Sequence, residues 1–261
     1  MEIHHSPHIP KHSKPWKEYL LEGLMIFIAV SLGYAAENMR EHYVETKKAI
    51  ISAHNLYVDV KADSINYASS MLYRHKQDSC YKIIKEIYTN NRMSQEVPTI
   101  YAAHSCISTR YAPIMNSLAL DEVKNSGTLK YLDDDKLKAA IQGYASLGND
   151  LKLREQREFN YIDRMIDPIT TSHFNFDFYS PLGNSLRINN NKIVFDIPIP
   201  ANLKIMKEEK LDWDNYFSIM GMLQMIREST EEVYIVPTQK KNSELLALLR
   251  NYLIEHDAFK E

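Results

Sequence analysis

The sequence predicts an all-α fold: one transmembrane helix continuing into an antiparallel helical bundle, with a small β-hairpin inserted. Three observations predict it. The stretch Tyr19–Ala36, YLLEGLMIFIAVSLGYAA, carries a single formal charge, Glu22, close to its start. Helical rise over that stretch is roughly 27 Å, close to the thickness of a hydrocarbon core. The chain holds only seven glycines in 261 residues, which disfavours a turn-rich all-β fold. Beyond Glu37, apolar residues recur at steps of three and four, the spacing of one helix face.

Taken in order, residues 1–18 form an N-terminal tail in which Pro7, Pro10 and Pro15 block helix. Its HHSPHIPKH segment offers imidazoles to a metal, but ordering a free tail costs entropy, and the segment reads as a polar cap; no metal or cofactor is expected. The transmembrane helix occupies 19–37. Two other readings fit the same residues. Gly33-Tyr34-Ala35 has the small-x-small form of a signal-peptide cleavage site, and a buried core helix is also apolar. Lys11, Lys14 and Lys17 precede the span and acids follow it, so the N-terminus is placed in the cytoplasm and residues 38–261 outside it. Trp16, Tyr19 and Tyr34 sit at interfacial positions.

The helix continues past Glu37 with a seam through Ile50, His54, Tyr57, Val60, Ser64, Ala68, Leu72, His75, Ile83 and Ile87, and with Asp63 and Arg74 off that seam. Both seam histidines are expected to pack rather than ligate. Thr89-Asn90-Asn91 breaks it. A second helix runs from Pro98 to Ala112, stopped by Pro113. A short one covers Asn116–Ser126 and closes on Gly127 in the left-handed region. Asp133 or Asp134 caps the next, which makes the Asp133–Asp135 triplet a helix start rather than a cation site. That helix carries Leu137, Ile141, Tyr144, Leu151 and Ile162 and ends at Asp167-Pro168. Residues 169–206 read as an irregular segment, with a hairpin of Ser185–Ile188 and Lys192–Asp196 about an Asn turn. A helix capped by Asp212 or Asp214 runs to Val233, where Pro237 kinks or ends it, and a last helix holds Leu245, Leu249 and Leu253. Met220, Met222 and Met225 read as gap-fillers.

Composition excludes several function classes. A net charge of -3 disfavours phosphate neutralisation, so no nucleic acid is expected. The chain contains no HExxH, GxSxG or phosphate-cradling glycine loop and no Cys-x-x-Cys, so it reads as a non-enzyme. Seventeen tyrosines are spread along the chain and are expected to line helix seams. The two cysteines, Cys80 and Cys106, lie equally far from Met93, the centre of the first interhelical turn. In an antiparallel hairpin that sets them at one height, so they form a candidate disulfide, worth about 3.5 kcal/mol on a chain-entropy basis.

One more pattern runs through the first half of the chain. The membrane helix exits through Ala36-Glu37-Asn38-Met39-Arg40-Glu41, and a helical hairpin leads to Val123-Lys124-Asn125-Ser126-Gly127-Thr128-Leu129. The capped helix Asp134-Asp135-Lys136-Leu137 follows, with Ile141 and Tyr144 beyond it. Over residues 17–165 this resembles a family of single-span bacterial membrane proteins classed as a domain of unknown function. The family's exit has Asn-Trp-Asn where this chain has Asn38-Met39-Arg40. The resemblance implies an envelope location and an interaction role, and supplies no catalytic residue. The resulting expectation is a single-pass inner-membrane protein with a periplasmic helical domain. Its expected role is a structural or accessory subunit of an envelope complex, touching membrane lipid and a protein partner or a second copy. An extracytoplasmic small-ligand sensor is the alternative; the short tail leaves no room for an output domain.

Overall fold

One helix, α1, runs unbroken from Trp16 to Thr89 through 74 residues, and the rest of the chain is wound on its second half. The computed structural model describes residues 15–113, 115–190 and 192–259. By helical rise α1 is roughly 110 Å long. Its first part is bare: every residue from 15 to 43 is exposed, and the first buried residue is Ala49. Thr89 ends it where Asn90 and Asn91 turn the chain, Asn91 at φ 54°.

Among the described residues seven further α-helices follow: α2 (Val97–Ser108), α3 (Leu118–Asn125), α4 (Asp135–Tyr161), α5 (Asp167–His173), α6 (Phe176–Ser185), α7 (Trp213–Thr230) and α8 (Val236–Glu255). Strands β1 (Leu186–Asn189) and β2 (Lys192–Phe195) pair antiparallel, Leu186 opposite Phe195 and Ile188 opposite Ile193. The fold is therefore mostly helical, with the small two-stranded hairpin that the alternating residues predicted.

Several element boundaries differ from the sequence-based expectation. The buried face of α1 keeps Val60, Ile83 and Ile87 of the predicted seam, but between them and before them it runs one or two residues earlier, through Ala49, Ala53, Leu56, Asp63, Tyr67, Ser70 and Arg74. Leu72 and His75 are exposed, and His75 faces Glu231 at 3.4 Å. Apolar periodicity misplaced the face because Asp63 and Arg74 are buried with polar partners. The α2 helix stops at Ser108 rather than Ala112, since Gln77 Nε2 donates to the Cys106 and Thr109 carbonyls at 3.1 and 2.8 Å and satisfies that end. The cap of α4 is Asp134, whose side chain accepts from the Lys136 and Leu137 amides, and not Asp133, which lies 3.3 Å from His256. Residues 169–185, expected to be irregular, are largely helical in α5 and α6. Met220 is buried, whereas Met222 and Met225 are exposed.

The two proline sites also do less than expected. Neither Pro168 nor Pro237 ends its helical run. In each case a π-turn, Ile162–Ile166 or Glu231–Ile235, precedes a new helix with the proline in its first turn. A first-turn proline loses no intrahelical hydrogen bond, and the wider π-turn shifts the ladder to make that position available.

Two apolar clusters stack along α1. The one nearer the bare helix joins Leu56, Val60 and Tyr67 of α1 to α3, the first half of α4 and α8. The farther one joins Cys80, Ile84 and Ile87 to α2, Leu182, the hairpin and α7. Fully buried Tyr67, Tyr101, Tyr144, Tyr216 and Tyr252 fill the seams of both.

Gly127 holds φ 74°, and a Cβ built there would meet nothing within 4 Å. Gly127→Val should therefore cost backbone strain alone, on the order of 1–3 kcal/mol in urea denaturation. Asp134→Ala should cost about 1 kcal/mol by loss of the α4 cap.

Candidate functional site

Between the two apolar clusters lies a layer of buried polar side chains, one from each of the three long helical runs. Arg74 comes from α1, Glu158 from α4 and Arg227 from α7. Arg74 Nη2 donates to Glu158 Oε2 at 3.1 Å, and Arg227 Nε donates to Glu158 Oε1 at 2.9 Å. All three side chains are almost completely buried. Glu158 and Arg227 each stand four residues before the π-turn of their own run, so both turns flank this layer. One carboxylate thus serves two guanidinium groups. Burial pulls the Arg227 pKa below its ordinary value, while the Glu158 charge and hydrogen bond oppose that pull. Arg74 Nε and Nη1, Arg227 Nη1 and Nη2, and Glu155 Oε1 are buried without a hydrogen-bond partner among the described residues. Burial pushes the Glu155 carboxyl up to about 8, against the pull of Arg74.

A second network sits inside the cluster nearer the bare helix. Asp63 Oδ1 accepts from the Asn116 amide and side chain at 2.8 and 3.0 Å, and Oδ2 accepts from Tyr144 at 2.7 Å. Asn242 Nδ2 donates to the Val60 carbonyl at 2.8 Å and to Tyr144 at 3.3 Å. Burial raises the Asp63 pKa, and these donors oppose the rise. The network ties α1, α4, α8 and the segment before α3 at a single point.

The third group centres on His104 of α2, stacked on Phe174 with ring centroids 4.1 Å apart. Thr170 spends its hydroxyl proton on the Ile166 carbonyl at 3.0 Å, so it accepts from His104 Nε2–H at 2.8 Å. That leaves Nδ1 to accept from the Tyr216 hydroxyl at 3.0 Å. The ring is held neutral in one tautomer, and burial lowers its pKa to about 3. A buried neutral imidazole between two hydroxyls is a packing element, with no carboxylate to make it a catalytic base. Periodicity alone could not find it, because α2 is apolar nearly all round.

Cys80 and Cys106 are both buried and unbonded. They are nonetheless neighbours: the thiols share a hydrogen bond, which with burial raises the Cys80 pKa and, against burial, lowers that of Cys106. Cys106 Sγ also donates to the Lys76 carbonyl at 3.8 Å. The two candidate boundary residues, Gly127 and Asp133, flank the Thr128–Tyr131 turn and lie apart from all three polar groups. No cluster of metal-ligating side chains occurs among the described residues. The HHSPHIPKH tail lies outside them.

No family model, no curated protein and no solved structure matches the chain.

Two outcomes follow from the buried groups. Glu158→Ala strands two guanidinium groups and should destabilise the protein by about 3–5 kcal/mol in urea denaturation, whereas apolar replacement of Arg74, Glu158 and Arg227 together should recover most of that loss. The second concerns pH. His104 has a folded pKa below its unfolded value, so its contribution is complete above pH 6.5 and is lost as pH falls toward about 3. Glu155 has a folded pKa above its unfolded value, so its contribution is complete below pH 4.5 and is lost as pH rises toward about 8. His104→Asn should flatten the acid limb of a stability–pH profile, and Glu155→Gln should remove the decline between pH 4.5 and about 8.

Proposed function

We propose that this chain is a single-pass protein of a bacterial inner membrane, with its N-terminus in the cytoplasm and its helical domain in the periplasm. There it serves as an accessory subunit of an envelope complex through contacts made by α1. The bare apolar helix carries the reading. Among the described residues there is one helix long and apolar enough to cross a membrane, and none of its apolar window is buried. A core helix would be packed against the domain, and this one is not. A signal peptide passes the same length and composition test. The anchor is favoured because α1 passes Gly33, Tyr34 and Ala35 without a break and enters the domain as the same helix. The lysines before the span set the orientation, and the resemblance over residues 17–165 supports an envelope role.

The contact surface is a stripe on the outer face of α1. Ile51, Val58, Ile65 and Leu72 are 61%, 52%, 65% and 73% exposed. They recur every seven residues, each two positions after a buried residue of the inner face (Ala49, Leu56, Asp63, Ser70). Two residues turn a helix by about 200°, so the stripe faces away from the domain. An apolar seam of period seven suits a partner helix running alongside α1. The stripe lies on the same unbroken helix as the apolar stretch, so a partner anchored in the same bilayer would meet it in parallel.

Two measurements test these parts separately. Carbonate-washed membranes should retain the full-length chain, and release into the soluble fraction would refute the anchor. Val58→Glu with Ile65→Glu should abolish copurification of the partner from mild detergent while leaving circular dichroism unchanged. In the periplasm Cys80 and Cys106 should oxidise to a disulfide linking α1 to α2, so denatured protein isolated without reductant should take up no thiol label.

A further inference from the structure

The outer face of α1 holds more than its period-seven stripe. Between Ile51, Val58, Ile65 and Leu72 stand Asn55 and Ala62, both exposed, and Ser69, half-buried. Together these residues step by four and three in strict alternation from 51 to 72, the d-to-a and a-to-d spacing of a heptad. The stripe takes the d positions, and Asn55, Ala62 and Ser69 take the a positions. Lysines close the a row at both ends: Lys48 pairs with Glu45 at 2.7 Å, and Lys76 donates to the Leu186 carbonyl at 3.5 Å. The buried residues Ala53, Leu56, Val60, Asp63 and Tyr67 fall on b and f, so the a/d seam lies about half a turn away from the domain.

A seam of this kind accepts many helices, and three features choose among them. An asparagine amide both donates and accepts, so Asn55 is best matched by a second amide at its own height. A parallel, in-register pair of identical helices puts one there, and an a-position asparagine fixes register and strand number in such pairs. Two copies held in one bilayer by the same apolar stretch already stand parallel and level. Confinement also raises their effective concentration, which favours a seam as short as this one. The flanks agree. On the e edge Ser52 donates to Glu122 at 2.9 Å and Asp59 accepts from the Ala119 amide at 3.2 Å, so α3 stands along that edge. There Asp59, Glu122 and the exposed Leu118 line a groove beside Asn55 and Val58. In a parallel pair each e edge faces the g edge of the other helix, where His54 stands, so each groove takes an imidazole beside two carboxylates. Isoleucine at d favours larger assemblies, but α3 leaves no room on the e edge for the wider contact of a third helix.

We propose that the neighbour of the stripe is a second copy of this chain, the two α1 helices forming a parallel, in-register coiled coil over residues 51–72. The inference rests on the anchored, stripe-bearing α1 proposed above and names its partner.

The test expresses two differently tagged full-length copies together and extracts them from membranes in mild detergent. Each tag should recover the other, at the mass of two chains. Val58→Glu in both copies, or Val58→Lys in both, sets like charges level on the axis and should cut recovery at least about tenfold. Val58→Glu in one copy with Val58→Lys in the other should restore it, because only in-register self-pairing sets residue 58 against itself. Ala62→Cys should cross-link the copies on oxidation, and Gln156→Cys, exposed on α4, should not. Two failures are distinguishable. Tags that never recover each other, while Val58→Glu releases a different protein, would leave the stripe as a contact surface and overturn self-pairing. No effect of Val58→Glu on any association would overturn the stripe and the inference together. A mixed Glu and Lys pair recovered no better than like-charged pairs would also overturn the inference, as would equal cross-linking at 62 and 156.

Discussion

The Arg74–Glu158–Arg227 bridge is the constraint on which the rest of the domain depends. It joins the three long helical runs at the one level where neither apolar cluster holds them together. Taking three charges out of water is unfavourable, and the mutual attraction returns that cost only if geometry is kept. The consequence is register. Sliding α4 or α7 by one turn would pull a guanidinium from its carboxylate by about 5 Å, whereas an apolar seam would tolerate the shift with modest repacking.

The same layer explains the π-turns. Both α4 and α7 must cross from one apolar cluster to the other, and both meet a proline soon after the crossing. A proline in mid-helix would kink the run and misdirect the residues beyond it. Placing a wide turn just after Glu158 and after Arg227 restarts the helix with proline in its first turn. The run then continues into the second cluster, bringing Thr170 to the His104 ring on one side and Leu245 and Leu249 into the cluster on α1 on the other.

Between the apolar stretch that ends at Ala36 and the first buried residue, Ala49, α1 runs about a dozen exposed or half-exposed residues, which by helical rise is roughly 18 Å. This stretch carries the ion pairs Glu37–Arg40 and Glu45–Lys48 and first touches the domain where the His42 and Tyr131 rings lie 6.1 Å apart. Because one helix forms the bare apolar stretch, this stalk and the spine of the domain, bending it would break backbone hydrogen bonds. The two faces of that spine differ: the inner one carries the domain, and the outer stripe of Ile51, Val58, Ile65 and Leu72 is exposed.

Sequence by itself determined the helical class, the apolar span, the breaks at Asn90 and Gly127, and the hairpin. Each of these is a local property: hydropathy over one stretch, a turn residue, or alternation across a few positions. It also set Cys80 and Cys106 at one height, through arithmetic about a single turn. The tertiary structure alone decided which face of α1 is buried. Asp63 and Arg74 look like solvent residues until Tyr144, Asn116 and Glu158 arrive from 53 to 84 positions away. It alone turned two prolines into helix starts, since the π-turns that admit them are held by packing on both sides. The unpartnered Oε1 of Glu155 has the same origin. Whether a carboxyl group finds a partner depends on what the distant chain brings beside it, and no spacing along α4 records that.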